Sequence, residues 1–180
     1  SQHETLNGRV DGQLTSNTMV FLGVRFFNEV RDNGTRLQTN ATREGFLQAG
    51  LRSRSKEGSD WQANFFSFDQ RFRSSFSSIP TIPPGRQTET LSLLQSEPAY
   101  GYGGNAQWSR PLPGSQLLAI GGEWRWIYAR DHENAFSAPT TRNRRIPGEQ
   151  ALGGAFFQDL WTPWWRLNVI LGARVDYWRN

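Results

Sequence analysis

The chain has 180 residues, 36% of them hydrophobic and 13% aromatic (8 Trp, 12 Phe, 4 Tyr), with a formal net charge of +4 and no cysteine. Aromatics at this level argue against a disordered chain, and the missing cysteines exclude disulfide frameworks, thiolate zinc sites, iron–sulfur clusters and thiol catalysis. Mean hydropathy is −0.65 and no apolar run approaches the ~18 residues of a membrane helix, but strands that need apolar groups only at every second residue can cross a membrane with such a composition.

Taken in chain order, the apolar residues recur at i, i+2, i+4, the period of a strand. Residues 5–15 hold part of a strand. Val20, Leu22, Val24 and Phe26 form one face of a strand over 18–31. Weaker alternation predicts strands at 43–54 (Leu47, Ala49, Leu51), 60–72 (Ala63, Phe65) and 101–110. Leu118, Ile120, Gly122, Trp124, Trp126 and Tyr128 line one face of 115–130. A strand at 150–161 presents Leu152, Gly154 and Phe156, and a last one at 165–178 presents Leu167, Val169, Leu171, Ala173, Val175 and Tyr177. The fold class is therefore all-β, an antiparallel up-and-down transmembrane β-barrel represented by about seven meander strands.

The predicted connections alternate short and long. Turns at 55–59, 111–114 and 162–164 alternate with polar segments at 31–42, 73–100 and 131–149, the rhythm of short periplasmic turns and longer outer loops. Trp124, Trp126, Trp161, Trp164, Trp165, Tyr177 and Trp178 are candidates for the membrane interface, where amphipathic rings settle at headgroup level. A soluble all-β module would instead use such rings in a core or to stack on sugars, and it would cover the Leu167–Tyr177 face with a second sheet. A barrel would expose that face to lipid, so that a charge at Leu171 costs roughly 2–4 kcal/mol near midplane.

Little here points to catalysis. His3 and His132 lie apart with no metal-ligand spacing. Glu123, Asp159 and Asp176 are the carboxylates available for acid–base work, but Glu123 and Asp176 fall on the polar faces of their strands beside Arg25, Arg125 and Arg174, where ladders of ion pairs are the commoner outcome. Gly101-Tyr102-Gly103-Gly104 has no following Lys-Ser/Thr and is no phosphate loop. The Arg residues are spread over every segment, which argues against a nucleic-acid face. Neither a metal nor a cofactor is expected, and the chain is not expected to be an enzyme.

Function concentrates on loops. The segment 73–100 carries Phe76, Ile79, Pro80, Ile82, Pro83, Pro84 and Arg86, and 131–149 carries a basic cluster of Arg142, Arg144 and Arg145. With Arg25, Glu123, Arg125, Arg174 and Asp176, those three arginines are the candidate substrate-binding residues.

Three stretches carry a family resemblance. Phe26 to Asn40, with Arg31-Asp32-Asn33-Gly34-Thr35 at its centre, resembles a strand running into its outer loop in TonB-dependent outer-membrane receptors. Gly154-Ala155-Phe156-Phe157-Gln158-Asp159 looks like that family's G-x-F-x-Q-D strand, and Leu171-Gly172-Ala173-Arg174-Val175-Asp176-Tyr177 like the L-G-x-R-x-D-Y strand that follows it. The resemblance spans roughly 18–178. It implies that residues 1–180 are an internal segment of a barrel without its plug domain, placed in the bacterial outer membrane. The parent would import a ferric siderophore, a cobalamin-like cofactor or an oligosaccharide. The implied partners are outer-membrane lipid, the remaining strands and plug, a TonB-type energy-coupling protein and a small-molecule nutrient. A small self-contained barrel (adhesin or pore) and a soluble carbohydrate-binding module are the alternatives.

Overall fold

The computed structural model describes residues 1–80, 88–137 and 139–180. Ile82, Pro83, Pro84 and Arg86 of the expected outer loop lie outside these residues.

Alternating side chains have no helical stripe to bury, and the chain accordingly forms eight antiparallel strands. They are β1 (Gln2–Thr15), β2 (Thr18–Asp32), β3 (Thr39–Arg54), β4 (Asp60–Ser78), β5 (Thr90–Leu112), β6 (Gln116–Ser137), β7 (Thr140–Trp164) and β8 (Leu167–Arg179). The sheet order is β1-β2-β3-β4-β5-β6-β7-β8, so each strand pairs with its sequence neighbours. Among the described residues, every backbone pairing between strands joins consecutive ones. No buried hydrophobic core exists among these residues, and no second sheet covers either face.

Three of the expected elements are corrected. Residues 2–15 form a complete eighth strand. Of the long polar segments, 131–149 is almost wholly strand, not loop: β6 runs to Ser137 and β7 begins at Thr140. The turn expected at 162–164 is the irregular end of β7, where pairing shifts between Trp161 and Trp164. At the turn end, Gly58 and Gly114 take φ of +84° and +83°, backbone that a side chain resists.

The sheet is sheared. The row Thr18–Ser53–Trp61–Trp108–Ile120–Phe157 runs straight across the hydrogen bonds from β2 to β7. Thr18 stands one residue from the Ser16–Asn17 turn, whereas Phe157 stands eight residues from Trp165. A rise of seven residues (about 23 Å) over five strand spacings (about 24 Å) is a strand tilt of about 45°. Barrel walls tilt by ~35–45°.

The register sorts the side chains. One face carries Leu6, Val10, Leu22, Val24, Leu47, Ala49, Leu51, Phe65, Ala106, Ile120, Ala155, Phe157, Leu171 and Val175. The other carries Arg9, Arg25, Gln48, Asn64, Asn105, Glu123, Arg125, Arg174 and Asp176. In β7 the expected assignment is reversed. Leu152, Gly154 and Phe156 belong to the polar face, and Ala151, Gly153, Ala155 and Phe157 to the apolar one. The cause is a ring laid over a glycine: a Cβ on Gly121 would stand 2.6 Å from the Phe156 ring. Phe66 covers Gly103, Phe68 covers Gly101 and Phe21 covers Gly50 in the same way.

At the loop end, Glu89 ties two connections together. It accepts hydrogen bonds from the Leu37 N–H (3.2 Å) and the Ser77 hydroxyl (2.5 Å). The Ser77 hydroxyl, with Thr35 and the 36–37 backbone, holds its carboxyl below the usual glutamate range. A lowered carboxyl stabilises the folded form above its unfolded pKa and ceases to as pH falls through its folded pKa. Protease sites in 33–38 should therefore open as pH drops below the ordinary carboxylate range. Glu89→Gln should open them at neutral pH, and equal cleavage of both forms at neutral pH would refute this tie.

Candidate functional site

The polar face builds its densest charge cluster where β6, β7 and β8 meet. Glu123 and Asp176 both pair in register with Gly154, one from each side of β7. Arg174 spans the gap. Its Nε donates to Asp176 Oδ1 and Oδ2 at 2.9 and 3.0 Å, its Nη2 lies 2.7 Å from Asp176 Oδ1, and it also pairs with Glu123. The bridge exists because residue 154 has no side chain. A Cβ there would stand 2.5 Å from Asp176 Oδ1 and 2.8 Å from Arg174 Nη2.

One residue pair further along, Arg125 extends the cluster on β6. No carboxylate lies within 4.0 Å of it among the described residues. Glu123, Arg125, Arg174 and Asp176, with Phe66, Asn105, Leu152 and Trp178, line an open hollow of ≈ 400 Å³. Asn64 donates to Asn105 Oδ1 at 2.9 Å beside it. The hollow thus offers one free guanidinium, one neutralised carboxylate–guanidinium bridge, an amide pair and aromatic walls. Such a set can hold an anionic or oxygen-rich solute by charge-assisted hydrogen bonds. Among the described residues no group of three His, Cys, Asp or Glu could hold a metal.

Of the residues proposed from sequence, Glu123, Arg125, Arg174 and Asp176 come together. Arg25 does not join them. It lies four strands away on β2, paired with Glu44 at 2.6 Å and 5.0 Å from the Phe46 ring. The basic trio is split by strand alternation. Arg142 and Arg144 share the polar face, and Arg145 faces the other way, opposite His132. Arg144 is paired with Glu133 at 2.6 Å. Asp159 lies on the apolar face, paired in register with Leu118 and Leu171, and so cannot act with Glu123 or Asp176.

Trp178 is a further correction. It was expected with the interfacial rings, but pairs with Leu152 on the polar face and lines the hollow. Trp124 and Trp126 join Tyr100, Tyr102 and Tyr128 in an aromatic patch on the apolar face, with centroids 5.2–6.3 Å apart. The Trp126 indole donates to Glu149 Oε1 at 2.9 Å. Tyr177 extends the apolar face on β8. Trp161, Trp164 and Trp165 stand at the turn end, where Arg166 stacks on Trp165 at 3.9 Å.

Sequence reasoning missed a carboxylate group at the loop end. Glu97 sits near Asp131 and Glu133, and burial followed by these two charges pushes its carboxyl above the usual range. The signal was hidden because all three lie in stretches read as loop.

The chain is similar in structure to several outer-membrane proteins. One is the ferripyoverdine receptor of the outer membrane of Pseudomonas aeruginosa, solved with ferripyoverdine bound (11% identity, TM-score 0.79, covering 98% of this chain and 30% of that one). Another is the alcaligin outer-membrane receptor FauA of Bordetella pertussis (14%, TM-score 0.73, 98% and 28%). A third is the outer-membrane transporter YddB of Escherichia coli (10%, TM-score 0.63, 98% and 27%). This chain spans about three tenths of their length. No family model matches it, and no curated protein matches it. Its fold is that of a stretch of outer-membrane β-barrel wall.

Proposed function

We propose that the chain is a wall segment of a TonB-dependent outer-membrane receptor, whose parent imports a scarce nutrient. The observation that carries this reading is the apolar face itself. It extends over eight strands with no covering layer, and Val10, Leu22, Phe26, Leu171 and Val175 are each more than half exposed. A water-soluble domain rarely leaves more than a few hundred Å² of contiguous apolar surface open.

The aromatic residues fit the dimensions of a bilayer. Tyr102 stands eleven residues before Pro113, Trp126 eleven after Ser115 and Tyr177 eleven after Arg166. Eleven residues at ~3.3 Å and ~45° tilt rise about 26 Å. The apolar band of such barrels is about 25 Å tall and edged by aromatic girdles. Tyr102, Trp126 and Tyr177 then mark the outer girdle, and Trp161, Trp164 and Trp165 the inner one.

On this reading the polar face lines the lumen. The mechanism is capture at the outer end, then passage along the wall when an energy-coupling protein displaces the plug. The residues 1–180 contribute wall only; the plug and the coupling site belong to other parts of the parent. The cargo class that suits Arg125 and the Glu123–Arg174–Asp176 bridge is an anionic chelate or oxygen-rich cofactor. A self-contained eight-stranded barrel is disfavoured, since β1 and β8 are not paired with each other.

Reading the frame on both sides tests this. A plug-like α/β domain upstream and further alternating strands downstream are expected. A stop codon directly after Asn180 with a signal peptide directly before Ser1 would sink the large-barrel assignment. Within the full receptor, Arg125→Gln should weaken binding of an anionic ferric chelate about tenfold, the scale of one charged hydrogen bond. Titration calorimetry showing an unchanged Kd would remove Arg125 from the cargo path.

A further inference from the structure

At the loop end, one row of the polar face sets two carboxyl groups against each other. It runs from Thr42 on β3 through Phe72 on β4 to Glu97 on β5. The β5–β6 register, Ser96 with His132 and Ala99 with Ala129, places Glu97 opposite Asp131, and Asp131 pairs onward with Ile146 on β7. The facing pair thus has a phenyl ring on one side and an isoleucine on the other. Both residues are half-buried. Glu133, the next residue on the same face of β6, adds a third carboxylate.

No cation neutralises the pair. Arg144 faces this region from β7 but is held by Glu133 at 2.6 Å, and Arg142 stands further out, opposite Ala135. On β4 the residues flanking Phe72 on this face are Gln70 and Ser74, while Arg71 and Arg73 belong to the other face. Gln95 and Ala99 flank Glu97 on its own strand. Arg130 and His132 lie on the other face of β6. Among the described residues, no Arg, Lys or His lies within 4.0 Å of Glu97 or Asp131. Asp131 Oδ1 is buried without a hydrogen-bond partner.

The backbone ladder is interrupted at the same point. Pro98 has no N–H to give. Between Ser96 and Ala99 β5 makes no pairing with β6, although Glu97 and Pro98 stay in register with β4. Closure of the seam here therefore depends on the facing side chains. A neutral Glu97 can donate its O–H to the unpartnered Asp131 oxygen, a hydrogen bond to a charged acceptor. An ionised Glu97 can only repel it, as like charges directly opposite do. We propose that Glu97 is a proton-operated latch on the β5–β6 seam, closed against Asp131 when neutral and pushed off it when its proton passes to water. Burial and the charges of Asp131 and Glu133 hold the Glu97 carboxyl above the usual range. A raised carboxyl stabilises the closed form below its unfolded pKa and ceases to as pH rises through its folded pKa. The dependence is opposite to that of Glu89, so acid tightens this seam while it frees the 33–38 connection.

The test uses the full receptor folded in detergent. Amide hydrogen exchange, expressed as protection relative to the free-peptide rate at each pH, is followed for 93–97 and 129–135 from about pH 5 to about pH 9, with β2–β3 amides as the reference. Seam protection should fall about tenfold relative to that reference as pH rises. Glu97→Gln keeps a donor for Asp131 and cannot ionise, so its seam should stay protected throughout. His132→Gln, beside Asp131 on the other face, should keep the wild-type profile. Seam protection that does not fall in the wild type, a comparison that needs no variant, would overturn the latch. So would an equal fall in Glu97→Gln. Either result leaves the receptor reading and its cargo class untouched, because the latch rests on the register of this one seam.

Discussion

Leu22→Arg should cost the membrane-folded receptor about 2–4 kcal/mol. Leu22 stands five residues after Asn17, close to half of the eleven that separate turn and girdle, and so near the middle of the apolar band. It is 51% exposed in the isolated chain, which leaves the lipid as its remaining contact. Its register partners on either side, Val10 and Ala49, offer a guanidinium nothing to pair with. Leu171→Arg is at a similar height but should cost less, because Leu171 is paired with Asp159. Asp159 Oδ1 is buried without a hydrogen-bond partner, so the new guanidinium would meet a waiting carboxylate. Unfolding titrations in detergent or lipid should rank the two variants in that order. If Leu22→Arg left the midpoint unchanged, the face would not be the one that meets lipid.

Gly103→Ala should destabilise by about 1–3 kcal/mol, the cost of forcing atoms into a packed site. A Cβ at 103 would stand 2.6 Å from the Trp124 carbonyl oxygen and 2.8 Å from the Phe66 ring. Backbone cannot rotate away, so trimming Phe66 to leucine should recover only part of the loss. Gly50→Ala makes the informative contrast. There the Cβ meets side chains alone, the Phe21 ring at 2.1 Å and Asn64 Oδ1 at 2.7 Å. Phe21→Leu should therefore relieve most of the Gly50→Ala penalty, and a double-mutant cycle measures the difference. Full additivity at Gly50 and Phe21 would show that the ring does not lie over the glycine.

The strands that sequence reasoning placed best are those crossing the apolar band. β2, β6 and β8 alternate apolar with polar residues over that stretch, because one side must suit lipid and the other water. Beyond the band that demand lapses. Thr140 to Glu149 carries polar groups on both faces, yet its ladder with β6 continues unbroken, held by backbone hydrogen bonds that leave no hydropathy signal. β7 was read with its faces exchanged because Phe156 is apolar on the polar side, and its role depends on Gly121 across the ladder, a pairing no single strand records. The cluster of Glu123, Arg174 and Asp176 was legible from strand parity alone. Its geometry was not, since Arg174 reaches across β7 only where Gly154 leaves room.

Because each strand is hydrogen-bonded through its backbone only to the strand before and after it in sequence, the segment behaves as a linear chain of hairpins. Stability is then close to a sum of nearest-neighbour terms. Loop closure never has to span more than one connection, which keeps the entropic cost of each pairing small. Assembly can proceed as a zipper from any formed hairpin, with the ring-over-glycine contacts rejecting a pairing slipped by one residue. The same architecture makes the wall extensible. A hairpin gained or lost restores the up-and-down order on both sides and disturbs only the two seams at which it was inserted or removed, so barrel circumference can change in steps of two strands without rebuilding what lies between.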